Sequence, residues 1–236
     1  MSGLWVLILL ITISSIPAAA AYIWFRLARY PFTLVRFLFT LLIGAAAVFP
    51  ALFLQEIFPA SFAAAGRWGI FIEIFLRIAL TEELSRLLML FLMFWISSRL
   101  EPRFRDSSVS SGAVLHGAAA GMVAGFGFAI IEGAIFGAAD TGVLLLRVFT
   151  AAPLHGACGS RVGSAAVMFR SNPYLALFRF LAATAIHGVY NFMIIMPGFP
   201  SIVAVLIALS ALLSSIVSIR NGWKNKGIEN TGATTL

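Results

Sequence analysis

Apolar residues run along this chain in long unbroken blocks, with polar residues gathered between them instead of alternating at the period of a half-buried strand or a surface helix. Seven blocks stand out, at about 4–25, 37–57, 68–98, 112–137, 141–169, 174–196 and 201–219. Each is long enough to cross about 30 Å of hydrocarbon as a helix. The third and fifth exceed that length, so they must tilt, protrude or break. The clearest connector is Arg99–Gly112, where Pro102 stops a helix and a run of serines forms a loop. The pattern predicts an all-α polytopic transmembrane bundle over residues 1–220 and a disordered cytoplasmic tail over 221–236. No internal repeat and no low-complexity run interrupts it.

Composition narrows the classes further. Of 236 residues, 61% are apolar, 13% aromatic and 11% charged, and the mean hydropathy is +1.01. A soluble domain carries about 25% charged residues, so a cytosolic enzyme, a nucleic-acid-binding module and a disordered regulator are all excluded. The formal charge of +7 is a matter of topology. Arg26, Arg29, Arg36, Arg99, Arg103, Arg105, Arg170, Arg220, Lys224 and Lys226 fall in alternate connectors, against Arg67 alone in the others. Positive residues stay on the cytoplasmic side, which places the N-terminus outside and the C-terminus inside; the expected location is the cell membrane (plasma or inner), with the lipid bilayer as solvent. The first block lacks a basic leader and is followed closely by Arg26 and Arg29, so it reads as an uncleaved helix and not a signal peptide. The single Cys158 permits no intramolecular disulfide.

Once the connector cations are removed, Arg77, Arg86, Arg147, Arg161 and Arg179 remain inside the blocks, together with Glu73, Glu82, Glu83, Glu132, His116, His155, His187 and Asn191. Each ionisable residue at mid-membrane costs about 2.5–3.5 kcal/mol, so such a set faces the bundle interior and marks function. Glu82 and Glu83 lie roughly 20 Å into the third block at about 1.5 Å per residue, at the depth of His155 and His187. Glu132 is shallower, level with Arg147. Arg86 is four residues from Glu82 and three from Glu83, and can reach either. One arginine cannot neutralise both carboxylates, so one of them faces something else and has the character of a general base. Glu73 and Arg77, four apart, read as a self-neutralising pair. His187 and Asn191, also four apart, share a helix face that can hydrogen-bond a neighbouring helix, stabilise an oxyanion or, through the histidine, bind a metal. His116 is sixteen residues from Glu132 and reads as an inner-interface residue.

Taken in order, Glu82-Glu83-Leu84-Ser85-Arg86, Gly127-Phe128-Ala129-Ile130-Ile131-Glu132, Pro153-Leu154-His155 and His187-Gly188-Val189-Tyr190-Asn191 resemble the PrsW family of intramembrane proteases, distant relatives of the CAAX-prenyl proteases. The likeness covers roughly residues 68–196, the catalytic core it implies. Two positions depart from the family's habit: Arg86 stands where a lysine is usual, and Gly133 where an asparagine is common. The resemblance implies regulated proteolysis of a membrane-anchored protein such as an anti-sigma factor. It makes Glu82 and Glu83 the essential acidic pair, with Glu132 and His187 completing the site. It further implies Glu82 as the base that activates water, His187 and Asn191 as oxyanion donors, and Arg86 as a positioner. Family members are described as metalloproteases, and Glu82, Glu132, His155 and His187 offer the oxygen and nitrogen ligands of a divalent metal such as zinc, although no HExxH spacing is present. The residues alone leave open a metal-free site. They also leave open two other classes: a transporter with a buried proton or ion relay, and a catalytically inactive membrane scaffold.

Overall fold

The computed structural model describes residues 3–57, 66–100, 110–196, 198 and 200–232. Its described elements are α1 (Gly3–Ser14), α2 (Ile16–Leu27), α3 (Leu34–Ala46), α4 (Val48–Ile57), α5 (Gly66–Ile72), a π-helical stretch (Glu73–Ala79), α6 (Leu80–Leu100), α7 (Ser111–Ala139), α8 (Thr141–Phe149), α9 (Ala151–Met168), α10 (Pro173–Ile195) and α11 (Ser201–Gly232). The fold is all-helical, as the blocks predict. The centre of the Arg99–Gly112 connector, with Pro102, lies outside the described residues. The last helix runs on to Gly232, through most of the stretch that the sequence reads as a tail.

Helices Leu34–Ile57, Ser111–Ala139, Pro173–Ile195 and Ser201–Asn225 are each long and apolar enough to cross a membrane, and two bent pairs, α1 with α2 at 40° and α8 with α9 at 42°, pass the same test together. The rod from Gly66 to Leu100, which carries Glu73, Arg77, Glu82, Glu83 and Arg86, is not in that set.

Proline places the breaks. It lacks an N–H and its ring collides with the carbonyl four residues back, so a helix yields shortly before it. Pro17, Pro50 and Pro153 each fall in the first turn of α2, α4 and α9, just after a break. The fifth block is therefore two helices. At the second break, the carbonyl of Ala47 accepts a hydrogen bond from the buried Ser85 Oγ of α6, which ties the rod to the α3–α4 junction.

The centre of the bundle is α7, with a continuous buried run from Gly117 to Ile130. A helix apolar all round belongs in a core. It can be enclosed because its glycines let neighbouring backbones approach. A Cβ on Gly121 would overlap the carbonyl oxygen of Gly159, one on Gly163 that of Gly117, and one on Gly125 that of His155. Residue numbers rise on α7 as they fall on α9, so the two helices are antiparallel and nearly in backbone contact, the packing that small residues permit in membranes. The outer helices instead expose large apolar side chains such as Leu42, Phe53, Phe149, Phe178 and Leu213, as lipid-facing surfaces do.

Candidate metal centre

Glu82, Glu83 and Arg86 lie on the first turns of α6, His187 on α10, His155 on the second turn of α9 and Glu132 on α7. Three residues before Glu82 the helix leaves its π stretch, a distortion common at functional sites. Thr81 Oγ1 donates to the carbonyls of Arg77 (2.5 Å) and Ile78 (3.1 Å), satisfying groups in the widened turn. Glu73 and Arg77 form the expected pair at 3.2 Å, and Arg77 Nε also donates to the carbonyl of Gln55 at 3.0 Å.

The two adjacent glutamates have different partners. Glu83 is fully buried and is the one that Arg86 neutralises through Nη2. Arg86, itself fully buried, also donates through Nη1 to the backbone carbonyl of His155 at 3.3 Å, and its guanidinium sits 4.8 Å from the Phe128 ring centroid. Among the described residues, Glu82 receives only a long hydrogen bond on Oε1, from Gln55 Nε2 at 3.4 Å. Its Oε2 has no hydrogen-bond partner among the described residues and lies 3.7 Å from His187 Nε2.

Each histidine is held by a carboxylate through one nitrogen. His187 Nδ1 donates to Glu83 Oε1 at 2.7 Å, and His155 Nε2 donates to Glu132 Oε2 at 2.6 Å. Ionised carboxylates only accept, so these contacts select the tautomers. The remaining nitrogens, His187 Nε2 and His155 Nδ1, carry lone pairs, and His155 Nδ1 is buried without a partner among the described residues. The rings meet edge to face, with centroids 5.0 Å apart. One ligand atom each from Glu82, His155 and His187 lies within 4.8 Å of the other two. A carboxylate or carbonyl behind each ligating histidine is the usual outer shell of a metal site, so the donor set fits a divalent cation.

Glu132 stands outside this trio. Its Oε2 is shared between His155 and Arg147 Nη2, the latter at 2.5 Å, and Arg147 also lies over the Phe136 ring at 4.2 Å. Asn191 is half-buried on α10, one turn beyond His187. His116 stacks on Phe32 with centroids 5.7 Å apart, away from these groups. Three contributors escape the sequence reading. Gln55 was visible as a polar exception in an apolar block, the α7 and α9 glycines as four-residue repeats, and Ser85 as the hydroxyl within the first motif.

The sequence model of the PrsW family, intramembrane metalloproteases, matches residues 31–215, most of the chain and all of these groups. The chain belongs to that family. Neither the curated proteins nor the solved structures compared with it provide a match. As a PrsW-family protein it is a membrane-embedded protease, with a membrane-protein substrate and a lipid environment.

Proposed function

We propose that this PrsW-family protein cleaves a membrane-anchored anti-sigma factor in the plasma membrane, with seven crossings, the N-terminus outside and the C-terminus inside. One observation carries the chemistry: the free nitrogens of two carboxylate-backed histidines and the unpaired oxygen of Glu82 converge in a buried place. Glu82, His155 and His187 would hold a divalent cation such as zinc, which when bound supplies Lewis acidity that acidifies water and polarises a carbonyl.

The chain's own residues do the rest. Glu83 and Glu132 fix the tautomer and orientation of the two rings, Arg86 and Arg147 hold those carboxylates, and Glu82, holding the cation through one carboxylate oxygen, would take the proton of the attacking water on the other. With Nδ1–H committed to Glu83, neutral His187 has no N–H left for an oxyanion. The geometry thus favours His187 as a ligand over the donor role that the resemblance implied, and leaves Asn191, one turn further along the same helix face, as the side-chain amide for that task. Burial of Glu83, Arg86, His155 and His187 to 1% exposure or less strengthens each of these contacts by excluding water.

The test is to purify the protein into nanodiscs, measure bound metal by elemental analysis, and follow cleavage of a single-span substrate with and without chelator. About one ion per chain, with activity lost to chelator and restored by metal, is expected. Undiminished cleavage in chelator would sink the metal reading, and Glu82-dependent ion flux without cleavage would favour a transporter. Glu132→Gln is expected to weaken metal affinity and activity by about 10–100-fold, the usual cost of losing an outer-shell partner. Metal competition titration reads this directly, and an unchanged affinity would remove Glu132 from the site.

A further inference from the structure

Beside the outer carboxylate of the centre, two buried polar atoms have no partner among the described residues: Ser14 Oγ and Arg147 Nε. Ser14, at the end of α1, is 3% exposed, and Arg147 is the residue whose Nη2 holds Glu132. Both line one cavity of about 10 Å³, whose walls also include Gly133 of α7 and Ala151 and Ala152 of α9. The cavity lies where two helices break. α1 ends at Ser14 and α8 at Phe149, and Thr150 gives α9 no side-chain cap, so the first N–H groups of α9 lack that partner.

Volume and chemistry point to the same occupant. A buried hydroxyl or guanidinium N–H left unpaired costs stability, and cavities that stay dry are lined by apolar groups. One water needs a space of about 10–15 Å³ and about two to four polar partners, and this cavity has the room and the unpaired atoms. Guanidinium Nε only donates, whereas a hydroxyl donates or accepts, so a water there accepts from Arg147 and exchanges a second bond with Ser14. Held at Nε by the water and at Nη2 by Glu132, the planar guanidinium is fixed at two points. Glu132 Oε2 in turn orients His155. A chain of bonds thus runs from α1 to the metal centre, although α1 precedes residue 31, where the family match begins.

We propose that Ser14 and Arg147 bind one ordered water, and that through it Ser14 is a positioning residue that holds Arg147 against Glu132. The effect on metal affinity rests on the metal reading above; the water does not. A crystal structure of the full-length protein grown in lipidic cubic phase is expected to show one water within hydrogen-bond distance of Ser14 Oγ and Arg147 Nε. It decides the water whether or not metal is bound, so failure of the metal reading is seen separately. Competition titration in nanodiscs should then show metal affinity about three- to tenfold weaker in Ser14→Ala, the weight of one hydrogen bond. Gly133→Ala should lose as much by another route, because its Cβ would stand 3.0 Å from Ser14 Oγ and fill the cavity, while alanine favours the helix. Ser14→Ala should cost almost nothing more in a Glu132→Gln background, since both act through one contact. Leu10→Ala, one turn earlier on α1 and packed on Leu144 and Val148, should melt earlier yet keep wild-type metal affinity. A Ser14 hydroxyl bonded to a carbonyl of its own helix with no water beside it, wild-type metal affinity in Ser14→Ala, a loss that adds in full to that of Glu132→Gln, or an equal loss in Leu10→Ala would each overturn the proposal.

Discussion

Replacing Glu82 with Gln is expected to lower the rate of peptide cleavage by about 10³-fold or more while leaving the metal-free protein as stable as metal-free wild type, or slightly more so. The kinetic part follows from the proposed role: a general base contributes about 10²–10⁴-fold, and a neutral amide cannot take the proton from water. The stability part follows from geometry. Among the described residues, Glu82 Oε2 has no hydrogen-bond partner, and the carboxylate faces no cation as closely as Glu83 faces Arg86. A buried charge that is poorly compensated costs folding energy, so its neutral isostere keeps the shape and loses the cost. Glu83→Gln differs in kind, because Glu83 Oε1 receives both Arg86 and His187. Removing that charge strands a buried guanidinium, and the variant should melt earlier. The two variants compared side by side in the same nanodiscs, by single-turnover cleavage with metal and by thermal unfolding in chelator, distinguish a reactive carboxylate from a structural one. Wild-type cleavage by Glu82→Gln, or equal destabilisation by both, would refute the assignment.

That contrast was half legible in the sequence. Spacing alone showed that Arg86 could neutralise only one of two adjacent glutamates, and depth placed them level with His155 and His187. Which glutamate Arg86 takes depends on the rotation of α6 against α10, a tertiary register that no local spacing encodes. The same limit applies to Glu132. Its depth matched it correctly to Arg147, yet its second bond, to His155, exists because the block at 141–169 breaks at Thr150 and tilts α9 by 42° relative to α8. Pro153 carried the signal for that break, but the direction of the bend is set by what α9 packs against. The all-helical architecture, by contrast, follows from burial of backbone polar groups in lipid, where helices satisfy their own hydrogen bonds, and so could be read from the apolar blocks alone.

What α9 packs against is α7, and there a single methyl group should separate structure from chemistry. Gly125→Ala is expected to destabilise the protein by about 1–3 kcal/mol and to reduce cleavage by about 10²-fold, the cost of misplacing reactive groups by about 1 Å. The added Cβ would collide with the carbonyl oxygen of His155, and backbone cannot step aside as a side chain can. The helices must part at the level where that carbonyl accepts Arg86 Nη1 and the His155 ring meets Glu132. Separation of α7 from α9 therefore pulls His155 away from the carboxylate that orients it and from the arginine that anchors its backbone, and metal affinity should fall with activity. Gly222→Ala is the matched control, since its Cβ would meet only the flexible end of the Leu115 side chain, at 3.0 Å. Metal titration, thermal unfolding and cleavage measured on both variants give the answer. If Gly125→Ala melts and cleaves like wild type, the close approach of the two backbones is not what positions His155; if it is destabilised yet cleaves normally, the glycine packing serves stability alone and the centre tolerates a displacement that a converging set of ligands should not.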